Sequence, residues 1–86
     1  MNGRAYMARV RSIPCVLCEK LGLGETPSQA HHAFDTAARS DFLTIALCKP
    51  HHQGPLGFHG LGQRAFERRY KTSEAELLAM TLERLA

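Results

Sequence analysis

The chain has no tryptophan and only three cysteines in 86 residues. An odd and small cysteine count fits metal ligation better than a disulfide framework, and two of the three form the pair Cys15-x-x-Cys18, a spacing suited to metal ligation. No apolar run approaches the roughly 20 residues a membrane-spanning helix requires. The N-terminal stretch MNGRAYMARVRS also lacks the apolar core, roughly 7–15 residues long, of a secretory signal. These absences point to a reducing cytoplasm, where thiols bind metals. Repeats, low-complexity tracts and linkers are missing too, so residues 1–86 read as a single domain. A core this small is barely sufficient alone. A structural zinc, worth roughly 10–16 kcal/mol of apparent binding free energy, would dominate the balance.

Charge is modest at +3, with a pI near 9.0. Its distribution is more informative. Arg4, Arg9 and Arg11 lie at one end, and Arg64, Arg68, Arg69 and Lys71 form a second cluster. On a helix beginning at Leu61, Arg64 and Arg68 share a face. A nucleic acid is the expected partner, and an ordinary solvated helix face is the plain alternative.

Residues 2–12 suit a basic helix ended before Pro14. A knuckle at Cys15 to Cys18 is followed by a turn-rich loop over 21–27. Two short strands are expected at 29–34 and 42–47, joined by a polar loop. Lys49-Pro50-His51-His52 opens a short helix, with proline suited to its first turn. A helix over 61–70 follows, and Ser73-x-x-Glu76 reads as the capping box of the last one. Ala75, Leu78, Ala79, Leu82 and Leu85 give that helix an apolar stripe. Phe34, Phe42, Phe58, Phe66 and Tyr70 are assigned to the core. The fold class is α+β, ordered as knuckle, hairpin and short helix with further helices packed around.

The cysteines and histidines carry the chemistry. Cys15, Cys18, Cys48 and His51 suffice for one tetrahedral zinc, one pair from a tight turn and the other from a helix start. His31, His32, His52 and His59 are then surplus. His51 and His52 cannot easily serve one ion, since successive helical residues point about 100° apart. Folding the helix back beside the hairpin would bring His52 to His31 and His32. Neutral imidazoles at such a place could hold a divalent ion, and another could act as general base. His59 stands between glycines and admits three readings: a surface histidine, a third ligand of the second ion, or a substitute for His51. Arg39 in the hairpin loop could contact phosphate, or be a solvated loop arginine.

The motif order Cys15-x-x-Cys18, His31-His32, Leu47-Cys48-x-x-His51-His52 resembles the HNH endonucleases, and within them the phage recombination-enhancement nucleases. The likeness runs from about Ile13 to the C-terminus and includes a helix like Phe66-Glu67-x-x-Tyr70. It implies a treble-clef ββα-metal core, stabilised by zinc, with added N- and C-terminal helices. It also implies hydrolysis of DNA phosphodiesters to 5′-phosphate and 3′-hydroxyl ends. His32 corresponds to the general base, and His31, His52 and, less directly, His59 to ligands of a catalytic ion. That ion would be Mg²⁺ or Mn²⁺, with Zn²⁺ as the alternative. A recombinase filament in a bacterial or phage-infected cytoplasm is the implied setting, although the N-terminal arm of those nucleases has no counterpart here. One position departs: the usual Asn nine residues before the last histidine is Leu43.

The residues alone leave a rival, a non-catalytic zinc-finger module that binds nucleic acid. A zinc-stapled adaptor docking a protein through the last helix is a third reading. Neither gives His31, His32 and His52 work. Strand geometry sets one further condition. In a regular strand His31 and His32 face opposite sides, so both reach one phosphate only if the strand twists, bulges or ends there.

Overall fold

The computed structural model describes residues 1–34 and 39–86, and the middle of the expected hairpin loop lies outside them. Helix α1 (Gly3–Arg11) starts at Asn2, whose side chain accepts the Ala5 amide at 2.8 Å, and places Arg9 and Arg11 in its last turn. Both features suit the helix dipole. Cys15 then caps the short α2 (Val16–Lys20), its sulfur accepting the Cys18 amide at 3.4 Å. The following loop is tied back where the Cys15 amide meets the Thr26 carbonyl and Ser28 Oγ meets the Ile13 carbonyl.

Strands β1 (Gln29–His32) and β2 (Thr44–Leu47) form an antiparallel two-stranded sheet, with Gln29 opposite Leu47 and His32 opposite Thr44. All four β2 residues are sealed, so both faces of that strand are covered. Helices α1, α2 and α6 (Glu74–Leu85) pack against it. Phe66, Leu17, Ile45, Leu47 and Leu77 are the largest buried apolar side chains. No described helix is long and apolar enough to cross a membrane.

Several expectations shift. β2 starts later than residue 42 because a turn intervenes, in which the Leu43 amide meets the Ser40 carbonyl and the Phe42 amide meets Ser40 Oγ. Phe42 is therefore exposed rather than core, resting on Tyr6 with ring centroids 5.2 Å apart. Phe34 is exposed as well, because its left-handed backbone (φ 56°) turns the chain out of β1. Phe58 and Tyr70 are part-buried and only Phe66 is sealed. The helix expected from about Leu61 begins at Gln63 (α5, Gln63–Tyr70), and a short helix not expected, α4 (Phe58–Leu61), precedes it, the two parted by Gly62 at φ 83°. Between them, α3 (Lys49–Gln53) and α4 touch so closely that a Cβ on Gly60 would lie 2.2 Å from the Gly54 carbonyl oxygen.

The last helix is capped by Ser73, whose Oγ accepts the Glu76 amide at 3.0 Å. The reciprocal half of the capping box is absent among the described contacts, since Glu76 binds Thr72 and Lys20 instead. The buried stripe is also rotated from the apolar one, with Glu74, Leu77, Leu78 and Thr81 inside while Ala75, Ala79 and Leu82 face solvent. Two polar residues occupy inward positions because each has a partner there. Thr81 Oγ1 accepts the Ala46 amide of β2 at 3.3 Å, satisfying a backbone donor that β1 does not use. Glu74 serves a histidine, described next.

Candidate metal centres and active site

Cys15 stands before α2, Cys18 lies within it, and Cys48 stands before α3 with His51 in that helix's first turn. Their donor atoms all lie within 4.8 Å of one another. Three pairs are resolved: Cys18 Sγ to Cys48 Sγ at 3.8 Å, Cys18 Sγ to His51 Nδ1 at 3.5 Å, and Cys48 Sγ to His51 Nδ1 at 3.3 Å. A tetrahedral ion with Zn–S near 2.3 Å and Zn–N near 2.0 Å would separate its donors by about 3.8 Å (S–S) and about 3.5 Å (S–N). The set therefore fits zinc. Without an ion, burial pushes the Cys48 thiol up to about 12 and raises Cys15 as well, while it lowers His51. Metal binding at such thiols must expel protons and depend on pH.

A second cluster joins His31, His52 and His59, again with donor atoms within 4.8 Å of one another. The ring centroids are 5.0 Å apart for His31 and His52, 5.4 Å for His31 and His59, and 4.8 Å for His52 and His59. His52 Nε2 lies 3.2 Å from His59 Nε2. Two nitrogens bound at about 2.0–2.1 Å to a tetrahedral ion stand roughly 3.3–3.4 Å apart. The chain thus sends its adjacent histidines to different places, as helical geometry requires: His51 to the cysteines and His52 to the imidazoles. His59 arrives from α4, which the glycine contact at Gly60 holds against α3.

Two imidazoles of the second cluster, His52 and His31, have outer partners. Gln29 Oε1 accepts His52 Nδ1–H at 2.9 Å, leaving the lone pair of Nε2 directed toward His59 and able to bind an ion. Glu74 Oε2 lies 2.8 Å from His31 Nε2, and both side chains are buried. Burial, reinforced by the neighbouring His31, His59 and His32, lowers His52 to about 4, so its imidazole is neutral near pH 7. Neutral imidazole is the form that binds metals.

His32 borders the same cleft. Its Nε2–H donates to Asp41 Oδ1 at 2.8 Å, and its Nδ1 accepts from Arg39 Nη2 at 2.8 Å. The carboxylate accepts only and the guanidinium donates only, so together they specify one tautomer. The cleft of about 480 Å³ is lined by His31, His32, Arg39, His52, Phe58 and His59, among others. β1 ends at His32, and the left-handed turn at Phe34 follows, which meets the geometric condition for two successive histidines to border one space. Arg64 and Arg68 are exposed on α5, outside the residues that line the cleft.

Sequence reasoning missed Gln29, Asp41 and Glu74. Gln29 was the most accessible of them, since it sits two residues before His31 and so shares its strand face. Glu74 left only a faint trace, a carboxylate in register with Leu77, Leu78 and Thr81. Asp41 left none.

The family model described as "Recombination enhancement, RecA-dependent nuclease" matches residues 2–86 of the chain. No curated protein and no solved structure matches it.

Proposed function

The chain belongs to the recombination-enhancement, RecA-dependent nuclease family, and on that premise we propose that it is a metal-dependent DNA endonuclease of the HNH type. The observation that carries this reading is the convergence of three imidazoles, His31, His52 and His59, beside His32 at one cleft. A nucleic-acid-binding finger has use for the first cluster only.

In this proposal Cys15, Cys18, Cys48 and His51 hold a structural zinc of a treble-clef core, which fixes the first turn of α3 and thereby aims His52. His31, His52 and His59 hold the catalytic ion. When bound, that ion neutralises charge on the scissile phosphate and on the departing oxygen. An all-imidazole donor set suits Zn²⁺ better than Mg²⁺ or Mn²⁺, the ions first expected.

His32 is the general base. With Nε2–H committed to Asp41, Nδ1 carries the lone pair that takes a proton from water. Arg39 sits on that nitrogen in the DNA-free chain. Phosphate is a stronger acceptor for guanidinium than imidazole is, so DNA would draw Arg39 away and leave Nδ1 open. Arg64 and Arg68 on α5 contact the DNA backbone, and a RecA-type filament presents the substrate.

Supercoiled plasmid with such a filament, in Zn²⁺, Mn²⁺ or Mg²⁺, tests the proposal. Nicks ending in 5′-phosphate and 3′-hydroxyl, abolished by EDTA, are expected. His32→Ala should retain fold and DNA binding and lose about 10²–10⁴-fold in rate. A gel shift without nicks in every metal would instead identify a binding module.

A further inference from the structure

The usual Asn of the HNH motif is replaced by Leu43, whose side chain is 39% exposed and whose carbonyl oxygen is engaged by the Ala33 amide at 2.8 Å. Orientation of His32 must therefore come from elsewhere. Two residues earlier, Asp41 reaches His32 Nε2 from the turn that leads into β2. The turn itself is pinned. Thr44, fully buried and directly opposite His32 in the hairpin, donates its hydroxyl to the Asp41 carbonyl at 3.1 Å. His32, Thr44 and Asp41 thus close a ring of one strand pairing and two hydrogen bonds.

Helix α1 completes the seat. A Cβ added at Gly3 would stand 2.6 Å from Asp41 Oδ2 and 2.7 Å from Asp41 Cβ. The carboxylate therefore lies flat against the first turn of α1, in space that any side chain would fill. One turn further on, Tyr6 rests on Phe42, the residue next to Asp41. Both contacts press the same turn against the same helix.

We propose that Asp41 is the positioning residue of His32, holding it in the Nε2–H tautomer, and that Gly3 provides the seat of Asp41. The inference rests on the nuclease reading for its kinetic consequence, though not for its structural one. Loss of a partner that fixes an imidazole's orientation typically lowers activity about 10–100-fold. Asp41→Ala should lower kcat by that amount with KM for filament-bound DNA little changed. Gly3→Ala should do the same, although alanine is the better helix former and would on propensity alone leave α1 as stable or more so. Combining the two should lower kcat no further than Asp41→Ala alone, because the carboxylate that the added methyl displaces is already gone and only the Cβ at 41 still has to shift.

Long-range ¹⁵N spectra of His32 provide a readout that a purely structural role would not move. With Arg39→Ala, which removes the guanidinium from Nδ1, the chain should show one tautomer, protonated at Nε2, and adding Asp41→Ala or Gly3→Ala should give a mixture. Asp41→Asn keeps an acceptor oxygen for Nε2–H and should hold the tautomer and recover part of kcat, which also covers the case in which Asp41→Ala fails to fold. An unchanged His32 tautomer when Asp41→Ala or Gly3→Ala is added to Arg39→Ala, or equal loss of kcat in the Ala and Asn variants, overturns the proposal. If the wild-type chain cuts no DNA, the nuclease reading fails while the spectra still decide the role of Asp41.

Discussion

Glu74, the first residue of α6, reaches across 43 positions of sequence to place Oε2 2.8 Å from Nε2 of His31, and both side chains are sealed from solvent. The second oxygen of Glu74 accepts the Phe34 amide at 3.3 Å, and the Glu74 amide donates to Glu67 at 2.8 Å. One carboxylate therefore joins the last helix, the end of β1 and a candidate metal ligand. Glu74→Ala should weaken second-site metal affinity about 10–100-fold and lower stability by about 1–3 kcal/mol, as expected when a buried polar group loses its partner. Zinc at the cysteines should be unaffected. Isothermal titration with Zn²⁺ or Mn²⁺ on zinc-replete protein, beside urea melts, would measure both. Unchanged second-site affinity would mean that Glu74 supports the fold alone.

The cysteine cluster should be a condition of folding. Cys15 both caps α2 and supplies a ligand, so Cys15→Ser removes one of four donors from a core with little else to spare. Loss of bound zinc and of the cooperative thermal transition is expected, and strong chelation of the wild-type chain should have the same effect. A normal melt with no zinc by elemental analysis would contradict it.

The two exposed arginines of α5 make a quantitative case. Arg69 is committed to the ring of Tyr70, 5.6 Å from its centroid, which leaves Arg64 and Arg68 as the outward pair on that helix. If each neutralises a phosphate, Arg64→Ala with Arg68→Ala should reduce the slope of log K against log salt by about 2. Fluorescence anisotropy across salt concentrations measures this. An unaltered slope would return both residues to an ordinary solvated face.

His52 should stay neutral well into the acid range when no second ion is bound. Its folded-state value is lowered from 6.5 to about 4, mainly by burial. The unfolded chain thus binds a proton near pH 6.5 that the folded chain refuses until about pH 4. Stability from this group is complete above the higher value and is lost as pH falls through that window. In protein carrying zinc at the cysteines only, imidazole resonances of His52 should show no midpoint near 6.5, and the urea midpoint should fall between pH 7 and pH 5. A His52 titration close to 6.5 would show that the imidazole is not packed as described.

Local chemistry was legible wherever a few adjacent residues decide the outcome. Cys15-x-x-Cys18 and Cys48-x-x-His51 each lie within a single turn, so their convergence needs only backbone geometry. The divergence of His51 and His52 follows from the same geometry, and the cap at Ser73 is equally local. The stripe of α6 was misjudged because hydrophobicity alone ranks Glu74 and Thr81 as outward, whereas each is buried beside a polar partner supplied by the hairpin. The short helix α4 went unread because the glycines around it, Gly57, Gly60 and Gly62, mask its periodicity, and the positive φ of Gly62 divides it from α5.

The sequence by itself determined a small zinc-fitting α+β domain and a surplus of histidines, because metal spacing, turn residues and helix periodicity are short-range properties. Only the tertiary structure decided which groups orient those histidines. Gln29, Asp41 and Glu74 meet His52, His32 and His31 through strand register, the turn against Gly3 and the docking of α6. Such pairings depend on how distant segments pack, and periodicity marks which face of an element is buried, not which distant side chain it meets.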